Sequence, residues 1–482
     1  MPDTVPDLNH IRSAHLIGIA GAGMTPLATI LLQQGAQISG SDLVDAANLG
    51  PLRRLGADIW IGHDAAHLGS PEIVVTTAAA TADNPEIVAA QARGIPIIKH
   101  AAALASLMHA RRGIAVAGTH GKSTTSAMIA HILDFAGLDP TFHVGAELIN
   151  YGLFGRLGHG EFLVAEADEF DRRFLAYDPE IAVVTYAEPD HLDYFGTVEA
   201  MNDAYAEFLQ HVRDGGITVI NGDDPVASSL PCRGRRVTYG RADNTDWHLM
   251  SWAPKSQTAG EIVVRDPTRR EIRIKLGVLG AHNAANATAA VAAAVAAGVP
   301  IERAGEALGS FLGVRRRIER LGSPGGVTVI DDYAHHPTEV RASLGAVRAH
   351  WDAAGPSPSA VWAIYQPHTE HRTASLFEAF SQCFVDADHV VLTPAYMPTG
   401  RVLATGGATA RQLADAMDHA DARALDTDAA VAAVGAEAQP GDVVIVMGAG
   451  DIWTIEAPLL ATLRSRFGIE DPAETKQPDK AS

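Results

Sequence analysis

The residues best suited to chemistry lie in one stretch, Gly113 to Met128, which reads GIAVAGTHGKSTTSAM. The pattern predicts a short buried strand, a turn of small and polar residues, and a helix that begins at Ser123. Such a turn can direct backbone N–H groups and the positive end of the helix dipole at a phosphate. Lys122 would add a mobile cation, and the Ser123 hydroxyl a ligand for Mg²⁺. The stretch predicts a nucleoside triphosphate site. A turn without a ligand is the alternative, because Val116 stands where the usual motif has glycine.

Two acidic phrases follow predicted strands further along the chain. EADEFD begins at Glu166, and EPDHLDYFG contains His191. Open α/β sheets place ligands just beyond the carboxyl ends of their strands, so a carboxylate and an imidazole that meet there could hold Mg²⁺. On the residues alone, Asp168, Glu169 and Asp171 are expected to be solvated acids, and His191 a hydrogen-bonded loop histidine.

The N-terminal region has the pattern of a Rossmann-like unit. A strand over His15 to Ala20 is followed by GIAGAGM and a helical pattern, and a second strand over Gln37 to Ser41 ends in Asp42. The pyrophosphate of a nucleotide is expected at the N-terminus of the first helix. The glycine spacing is G-x-x-G-x-G, which differs from the dinucleotide pattern G-x-G-x-x-G and does not favour a redox cofactor. A tight turn without a ligand is the alternative here too.

Composition limits the class of protein. The chain has 482 residues and a formal net charge of -20, with 47% hydrophobic and 20% charged residues. By length we expect roughly three domains. The acidic balance argues against nucleic-acid or anionic-membrane partners, which would favour a basic surface. The two cysteines indicate a reducing compartment. Residues 284–298 form the most apolar stretch and fall short of the ~20 residues that cross a bilayer. We therefore expect a cytoplasmic protein with no stable membrane association, a monomer or homodimer.

Several phrases, in this order, resemble the Mur ligase family of ATP-dependent enzymes, which join an amino acid to a carboxylate: GTHGKSTT, EADEFD, DHLDYFG, LGAHNAANATAA, FLGVRRRIE, DDYAHHPTE and MGAGDI. The phrases GIAGAGM, GSD, IGH, TTAAATADNPEI and GIPIIK resemble the branch that uses UDP-N-acetylmuramic acid and L-alanine. Several sibling branches carry a carbamylated lysine after the DH motif. Here no lysine occurs between Lys122 and Lys255, and Tyr205 stands near the expected position, which favours the same branch.

The resemblance implies an α/β fold of three domains. These are a Rossmann-like UDP-sugar-binding domain over residues 1–112, a central ATP-binding domain with a phosphate loop and a parallel sheet over 113–322, and a C-terminal Rossmann-like amino-acid-binding domain over 323–482. The tail after about Asp471 is charged and contains proline, which predicts disorder.

The resemblance also implies a set of functional residues, with Lys122, His191 and Arg317 as the catalytic group and Arg316 as a second choice for the γ-phosphate contact. The expected ATP contacts are Gly118, Thr119, His120, Gly121, Lys122, Ser123, Thr124, Asn286, Arg317, Asp331 and His335, with His336 beside the last of these. The expected UDP-sugar contacts are Gly21, Ala22, Gly23, Met24, Asp42, His63 and Thr77. The amino acid is expected at His368 and Arg372, the metal at Ser123, Glu166 and His191, and Gly448 and Gly450 beside the cleft.

Some of these residues have simpler interpretations. Asn286 lies in an alanine-rich helical pattern and could be a packing residue instead of an adenine contact. A triple arginine is ordinarily a solvated face, and two adjacent histidines often cap a helix. The chain also departs from its relatives: Glu370 and His371 occupy positions that are usually aromatic and Ser or Thr, and the segment PAYMPTGR differs too.

The expected activity is an ATP- and Mg²⁺-dependent ligation of L-alanine to the lactyl carboxylate of UDP-N-acetylmuramic acid. A ligase that uses a murein tripeptide is one alternative, because the altered loop could admit a peptide. A nucleotide-binding regulator without catalysis is another. Retention of Lys122, Glu166, His191 and Asp331 argues against the regulator, and the glycine spacing argues against a dehydrogenase.

Overall fold

The computed structural model describes residues 7–355, 358–397 and 407–469. They form an α/β protein with three sheets rich in parallel strands, which confirms the predicted fold class. The chain divides into two compact units. The first comprises the residues up to Trp252 with Glu261–Gly277 and His282–Val314, and the second comprises Ala253–Gly260, Val278–Ala281 and the residues from Arg315 onward.

The first sheet has the strand order β3-β2-β1-β4-β5, and all of its pairs are parallel. Its strands are β1 (Ser13–Ile17), β2 (Gln37–Asp42), β3 (Asp58–Ile61), β4 (Ile73–Thr76) and β5 (Ile97–Lys99). The helices between and after them are α1 (Met24–Gln33), α2 (Leu49–Arg54), α3 (Pro85–Ala92) and α4 (His100–His109). The crossover helices cover the sheet, and β4, with the sequence IVVT, is accordingly buried throughout.

The second sheet has the order β15-β14-β13-β12-β11-β10-β6-β9-β7-β8. Its strands are β6 (Arg112–Ala117), β7 (Thr141–Leu148), β8 (Leu153–Arg156), β9 (Phe162–Glu166), β10 (Ile181–Val184), β11 (Ile217–Asn221), β12 (Arg235–Gly240), β13 (Trp247–Pro254), β14 (Gly260–Arg265) and β15 (Glu271–Leu276). Its helices are α5 (Lys122–Phe135), α6 (Leu192–Phe195), α7 (Val198–Gln210), α8 (Pro225–Ser229), α9 (Ala281–Ala296) and α10 (Ile301–Ser310). Strand β6 pairs in parallel with β9 on one side and with β10 on the other.

The third sheet has the order β16-β17-β21-β18-β19-β20, in which only the β16–β17 pair is antiparallel among the described strands. Its strands are β16 (Glu319–Gly322), β17 (Thr328–Asp332), β18 (Val361–Tyr365), β19 (His389–Leu392), β20 (Ala422–Ala424) and β21 (Val443–Met447). Its helices are α11 (Pro337–Ala354), α12 (Glu370–Ser375), α13 (Phe377–Ser381), α14 (Ala410–Ala416), α15 (Thr427–Glu437) and α16 (Glu456–Phe467). This sheet begins at β16, upstream of the boundary that we placed at residue 323.

The register of the second sheet brings the chemically interesting loops to one edge. Val116 of β6 pairs with Glu166 of β9, and Ala117 pairs with Val184 of β10. Because the three strands run parallel, the phosphate loop, the EADEFD phrase and the DHLDYFG phrase all leave the sheet at neighbouring carboxyl ends. The apolar strands are buried on both faces, so this edge has a rigid base.

Candidate active site

The turn between β6 and α5 has a backbone that only glycine suits at two positions. Gly118 and Gly121 have φ angles of +134° and +81°. A Cβ on Gly118 would lie 2.1 Å from Thr185 Oγ1, and one on Gly121 would lie 2.5 Å from Asn286 Oδ1. Both residues are therefore held in a left-handed or close-packed conformation that a side chain would disturb. The loop ends at Lys122, the first residue of α5, one residue earlier than the predicted helix start.

Lys122 is buried within the loop that it terminates. Its Nζ donates to Gly118 O at 2.6 Å and lies 3.1 and 2.9 Å from the two carboxylate oxygens of Glu169. Burial alone would lower the pKa of Lys122, but the charges of Glu169, Asp168 and Glu166 outweigh burial and raise that pKa above its ordinary value. The ammonium group therefore stays charged.

Our expectation that Glu169 is a solvated acid is wrong. Its side chain is 1% exposed and pairs with Lys122, because the turn after β9 folds back toward the phosphate loop. Asp168 and Asp171 remain partly exposed, and each forms an ion pair, with Arg173 at 3.1 Å and with Lys99 at 3.2 Å respectively.

Two of the three expected metal ligands are in direct contact. Ser123 Oγ donates to Glu166 Oε2 at 2.9 Å, and Gly145 N donates to the same oxygen at 2.9 Å. His191 has a left-handed backbone with φ +52°, and its ring lies edge-on to Phe170 with centroids 5.1 Å apart. The three residues follow or end the neighbouring strands β6, β9 and β10, and among these three described residues only Ser123 and Glu166 are joined by a hydrogen bond.

The other expected ATP residues of the first unit surround the loop. Thr119, Ser123 and Thr124 are each less than 9% exposed, and Thr119 N donates to Tyr186 O at 2.8 Å. His120 Nε2 lies 3.5 Å from Glu188 Oε2. Asn286 is 4% exposed and bonds through Nδ2 to Asn283 Oδ1. Asn286 packs against Gly121, as the packing interpretation expects, and its contact with adenine stays a prediction.

A second pocket, of about 160 Å³, lies at the N-terminus of α1. Five of the predicted UDP-sugar residues line it, namely Gly21, Ala22, Gly23, Met24 and Thr77. Lys99, His100 and Arg173 line it as well, and our sequence reasoning did not single them out. The helix end and the two cations together suit an anionic group such as a diphosphate. Lys99 is the basic residue that ends the phrase GIPIIK, and it could have been predicted to contact the diphosphate on that ground.

Two neutral histidines lie at this pocket: His100 lines it, and His143 contacts the backbone of Gly23. His143 Nε2 lies 2.8 Å from Gly23 O and 3.1 Å from His100 Nε2. Because a carbonyl only accepts, His143 Nε2 carries the hydrogen and His100 Nε2 accepts. Burial lowers the pKa of His100 to about 3 and that of His143 to about 4, so both rings are uncharged near pH 7.

Asp42 lies at the end of β2 and His63 just after β3, and neither residue lines the pocket. Asp42 Oδ2 accepts from Ala20 N at 2.9 Å, which fixes the turn before α1. His63 Nδ1 lies 2.8 Å from Ser41 Oγ and 3.2 Å from Glu86 Oε2. Glu86 is fully buried and also faces His15 and His67 at 3.6 and 3.4 Å. The carboxylate therefore orients His63, a role that the sequence did not reveal.

In the second unit the expected phosphate-binding arginines pack on one aromatic ring. The guanidinium carbons of Arg316 and Arg317 each lie 5.0 Å from the centroid of the Tyr333 ring. Arg316 donates to Gly448 O at 2.8 Å and lies 3.4 Å from Asp331 Oδ2, and Arg317 lies 3.7 Å from Glu339 Oε1. The triple arginine is not a uniform solvated face, because these two side chains are only 26% and 28% exposed.

Asp331 is 3% exposed at the end of β17. Burial raises the pKa of the neighbouring Glu456 to about 8, and the charge of Asp331 adds to the effect. Gly448 has a φ of +148°, and a Cβ there would lie 3.0 Å from Gln366 O. A Cβ added to Gly450 would lie 2.4 Å from Gln366 Oε1. These two glycines keep the turn after β21 close to β18.

Of the residues expected to bind the amino acid, His368 lies in a small cluster of aromatic rings. The rings of His335 and His368 have centroids 5.8 Å apart, and Tyr396 lies at the same distance from His368. Burial lowers the pKa of His335 to about 3, and the nearby charge of Arg372 acts in the same direction. Glu370 and His371 are exposed at the start of α12. The segment PAYMPTGR lies partly outside the described residues.

His336 has the simpler of its two predicted roles. Its Nδ1 accepts from Thr338 N at 3.3 Å, and Glu339 completes a capping box at the start of α11. The helix-cap interpretation is therefore confirmed for this residue, whereas His335 lies in the cluster described above.

Three family models match successive parts of the chain. The Mur ligase family catalytic domain matches residues 13–112, the Mur ligase middle domain 116–294, and the Mur ligase glutamate ligase domain 316–450. A UDP-N-acetylmuramate–L-alanine ligase of Solidesulfovibrio magneticus is 40% identical over 95% of this chain and 99% of its own. The chain belongs to the Mur ligase family.

Other members of the family extend this similarity. A UDP-N-acetylmuramate–L-alanine ligase of Mycolicibacterium gilvum is 42% identical over 95% of this chain and 97% of its own. The crystal structure of a UDP-N-acetylmuramate-alanine ligase from Thermotoga maritima superposes with a TM-score of 0.80 at 26% identity, covering 95% of this chain and all of that one. A murein peptide ligase from Psychrobacter arcticus gives a TM-score of 0.69 at 25% identity, over 94% and 99% of the two chains.

Two further features of the structure relate to expectations from the sequence. Tyr205, which stands near the position expected for the lysine of sibling branches, is fully buried against Phe174 with ring centroids 5.3 Å apart. Its ring is therefore part of the hydrophobic core. Among the described residues, no helix is both long enough and apolar enough to cross a bilayer.

The histidine pair predicts an acid-sensitive fold. A histidine whose pKa is lowered in the folded state binds its proton more readily when unfolded, so stability falls as the pH drops below the ordinary value of 6.5. At about pH 5 each ring is expected to cost about 2 kcal/mol of unfolding free energy. We expect His143→Gln to reduce the loss of melting temperature between about pH 7.5 and about pH 5.

The matched control for this prediction is His10→Gln, at a histidine that is 85% exposed. That variant is expected to keep the wild-type pH dependence. Equal pH dependence for both variants would contradict the assignment.

Proposed function

We propose that this protein is an ATP-dependent ligase that joins L-alanine to the lactyl carboxylate of UDP-N-acetylmuramic acid in peptidoglycan precursor synthesis. One observation carries the proposal: the first unit holds both a charged lysine in a glycine-rich phosphate loop and a separate cation-lined pocket at the N-terminus of α1. Relatives with that activity, at about 40% identity over 95% of the chain, support it. Because the reaction consumes ATP, we infer that it takes place in the cytoplasm.

The chemistry requires ATP because a carboxylate is a poor electrophile. At neutral pH an amine cannot displace an oxide from it, so the carboxylate must first be phosphorylated. The lactyl carboxylate attacks the γ-phosphate in line, and the acyl phosphate is then attacked by the amine of alanine, which yields the amide, ADP and phosphate. Lys122 is suited to stabilise charge on the transferring group, and Arg317 is our candidate for the same role.

Ser123 and Glu166 fit a magnesium ion. They present hydroxyl and carboxylate oxygens 2.9 Å apart next to the phosphate loop, and oxygen ligands are those that Mg²⁺ prefers. We infer that these two residues hold the ion, with His191 as the third ligand. A bound Mg²⁺ would neutralise charge on the phosphate oxygens. Glu166 is already fixed by Gly145 N, so its carboxylate needs little reorganisation to act as a ligand.

The UDP-sugar is expected to place its diphosphate in the pocket beside α1. Ala22 to Met24 would offer backbone N–H groups, since the Gly21 N–H donates to Gly18 O, while Lys99 and Arg173 would offer charge. Asp42 and His63 lie on the adjacent strand ends and are candidates for the uridine side. Thr77 lines the same pocket and would contact the sugar.

The amino acid is expected beside His368 and Arg372, where a guanidinium can hold a free carboxylate by two hydrogen bonds. The exposed Glu370 and His371 next to Arg372 set this protein apart from the usual loop. Since an exposed and altered loop could admit a larger acceptor, ligation of a murein tripeptide is the second candidate function.

One experiment separates the candidates. Phosphate release is measured with UDP-N-acetylmuramic acid, ATP and Mg²⁺, and with L-alanine, glycine, L-serine or the murein tripeptide supplied one at a time. Turnover with L-alanine supports the proposal, whereas turnover only with the tripeptide favours the second candidate. Absence of turnover with every acceptor would favour a nucleotide-binding regulator, and nucleotide use without any acceptor would indicate a switch ATPase.

We expect Lys122→Ala to reduce turnover by at least about 10²-fold while UDP-sugar binding is retained, because the charge near the γ-phosphate is lost and Lys122 does not line the pocket beside α1. Turnover is followed by phosphate release, and binding by calorimetry with UDP-N-acetylmuramic acid. Lys275→Ala, at an exposed lysine of β15, is the control and should behave as the wild type. Normal turnover in Lys122→Ala would refute the phosphate-loop assignment.

We expect Arg372→Ala to raise the KM for L-alanine by about 10- to 100-fold, the range expected when a charged hydrogen-bond partner is lost. The KM for ATP should not change. Arg341→Ala provides the control, because Arg341 lies on the exposed side of α11 and donates to Gln382 O. An unchanged KM for L-alanine would move the amino-acid site away from α12.

A further inference from the structure

A short segment after β9, residues 168–173, links the phosphate loop to the pocket beside α1. Glu169 contacts Lys122, Asp171 pairs with Lys99, and Arg173 lines the pocket. Phe170 packs against the ring of His191. The segment therefore contacts Lys122, His191 and the pocket beside α1, all of which the proposed reaction uses. From the sequence we expect a functional role only for Glu166, just upstream of the segment.

The contacts of Lys122 leave no donor for a phosphate. An ammonium group has three N–H donors. Nζ lies 2.6 Å from Gly118 O, 3.4 Å from Thr119 O, and 2.9 and 3.1 Å from the two oxygens of Glu169. Lys122 is 14% exposed and Glu169 only 1%, so water does not compete strongly with this pair. A phosphate oxygen can reach the ammonium group only if one of these oxygens leaves.

Glu169 is the partner that a phosphate can replace. Gly118 O and Thr119 O belong to the loop that would surround the phosphate, and they cannot leave without unfolding it. A carboxylate and a phosphate both offer paired anionic oxygens to a cation. The approach of a polyphosphate to Lys122 is also opposed by the negative charge of Glu169, which favours its departure.

The backbone of the segment is consistent with such a rearrangement. Asp171 and Arg172, neither of them glycine, have φ angles of +57° and +52°. Consecutive left-handed residues of this kind cost energy and persist only where side-chain contacts hold them. Two contacts of that kind are present: the pair Glu169–Lys122 lies just before the strained residues, and the pair Asp171–Lys99 holds the first of them.

We propose that Glu169 is the exchange partner of the nucleotide phosphate: its carboxylate occupies Lys122 when no nucleotide is bound and leaves when a phosphate arrives. The carboxylate thereby lowers the affinity for nucleotide and keeps the buried ammonium group paired in the meantime. This inference rests on the proposed function only for the existence of the nucleotide site.

The test is a calorimetric titration with ADP, in the presence of Mg²⁺ and in the absence of UDP-sugar. Glu169→Gln removes the competing charge and keeps the side-chain shape, so we expect ADP to bind about tenfold more tightly. Glu207→Gln is the matched control, because Glu207 is 51% exposed and pairs with Arg172 of the same segment at 3.5 Å. Its ADP affinity should equal that of the wild type.

A second comparison separates the effect of the direct Glu169–Lys122 contact from the effect of removing any one negative charge from the segment. Asp168 carries the same charge in the same segment but bonds to Arg173. Asp168→Asn is therefore expected to change ADP affinity by less than about threefold, whereas an equal gain in both variants would reduce the effect to simple charge removal and overturn the proposal.

Weaker or unchanged ADP binding by Glu169→Gln would also overturn the proposal, because a residue that merely positions Lys122 can only lose affinity when it is altered. Normal UDP-sugar binding by the variant serves as the check on folding. Should that check fail, Glu169→Asp, whose shorter side chain cannot keep both contacts, is titrated with the same expected direction. Failure of the wild type itself to bind ADP would refute the nucleotide site, and so the proposed function.

Discussion

The buried ion pair between Lys122 and Glu169 is the interaction on which the first unit's candidate site depends. A lone ammonium group in this position would be several kcal/mol less stable, and it would tend to lose its proton. The carboxylate and the loop carbonyls keep it charged at the point where the phosphate loop meets α5. The loop in turn depends on Gly118 and Gly121, because a Cβ at either would collide with Thr185 or Asn286. Charge and backbone conformation are thus set together.

Much of this arrangement follows from local sequence. The apolar runs that became β4, β6, β10 and β21 are rich in β-branched and small residues, and the turns after them contain glycine or acids, so both the elements and their order were predictable. Parallel strands bring their carboxyl ends to one edge, which explains why Ser123 and Glu166, far apart in the chain, meet as expected. These contacts require only the sheet order.

Other contacts depend on tertiary packing that no local pattern encodes. Glu169 has the sequence surroundings of a solvated acid, and only the fold of the turn after β9 buries it against Lys122. Glu86 lies in an ordinary helix start, yet it is fully buried because three histidines from separate segments converge on it. Lys99 and Arg173 come from different sheets and meet at the same pocket. Asn286 lies against Gly121 of the phosphate loop, a contact that the local sequence does not encode.

The same principle explains how an acidic chain with a net charge of -20 can serve anionic substrates. Each candidate phosphate-binding cation has an acidic partner of its own: Lys99 with Asp171, Lys122 with Glu169, Arg173 with Asp168, Arg316 with Asp331, and Arg317 with Glu339. We therefore expect a bound polyanion to displace a carboxylate at the cations that it contacts. Lys99 is 67% exposed, so its pair with Asp171 costs at most about 1 kcal/mol to separate. The pair at Lys122 is buried, and its separation is repaid only by a ligand that supplies equivalent oxygens within the loop. We therefore expect the pair at Lys99 to discriminate little among anions, and the pair at Lys122 to admit those that fit the loop.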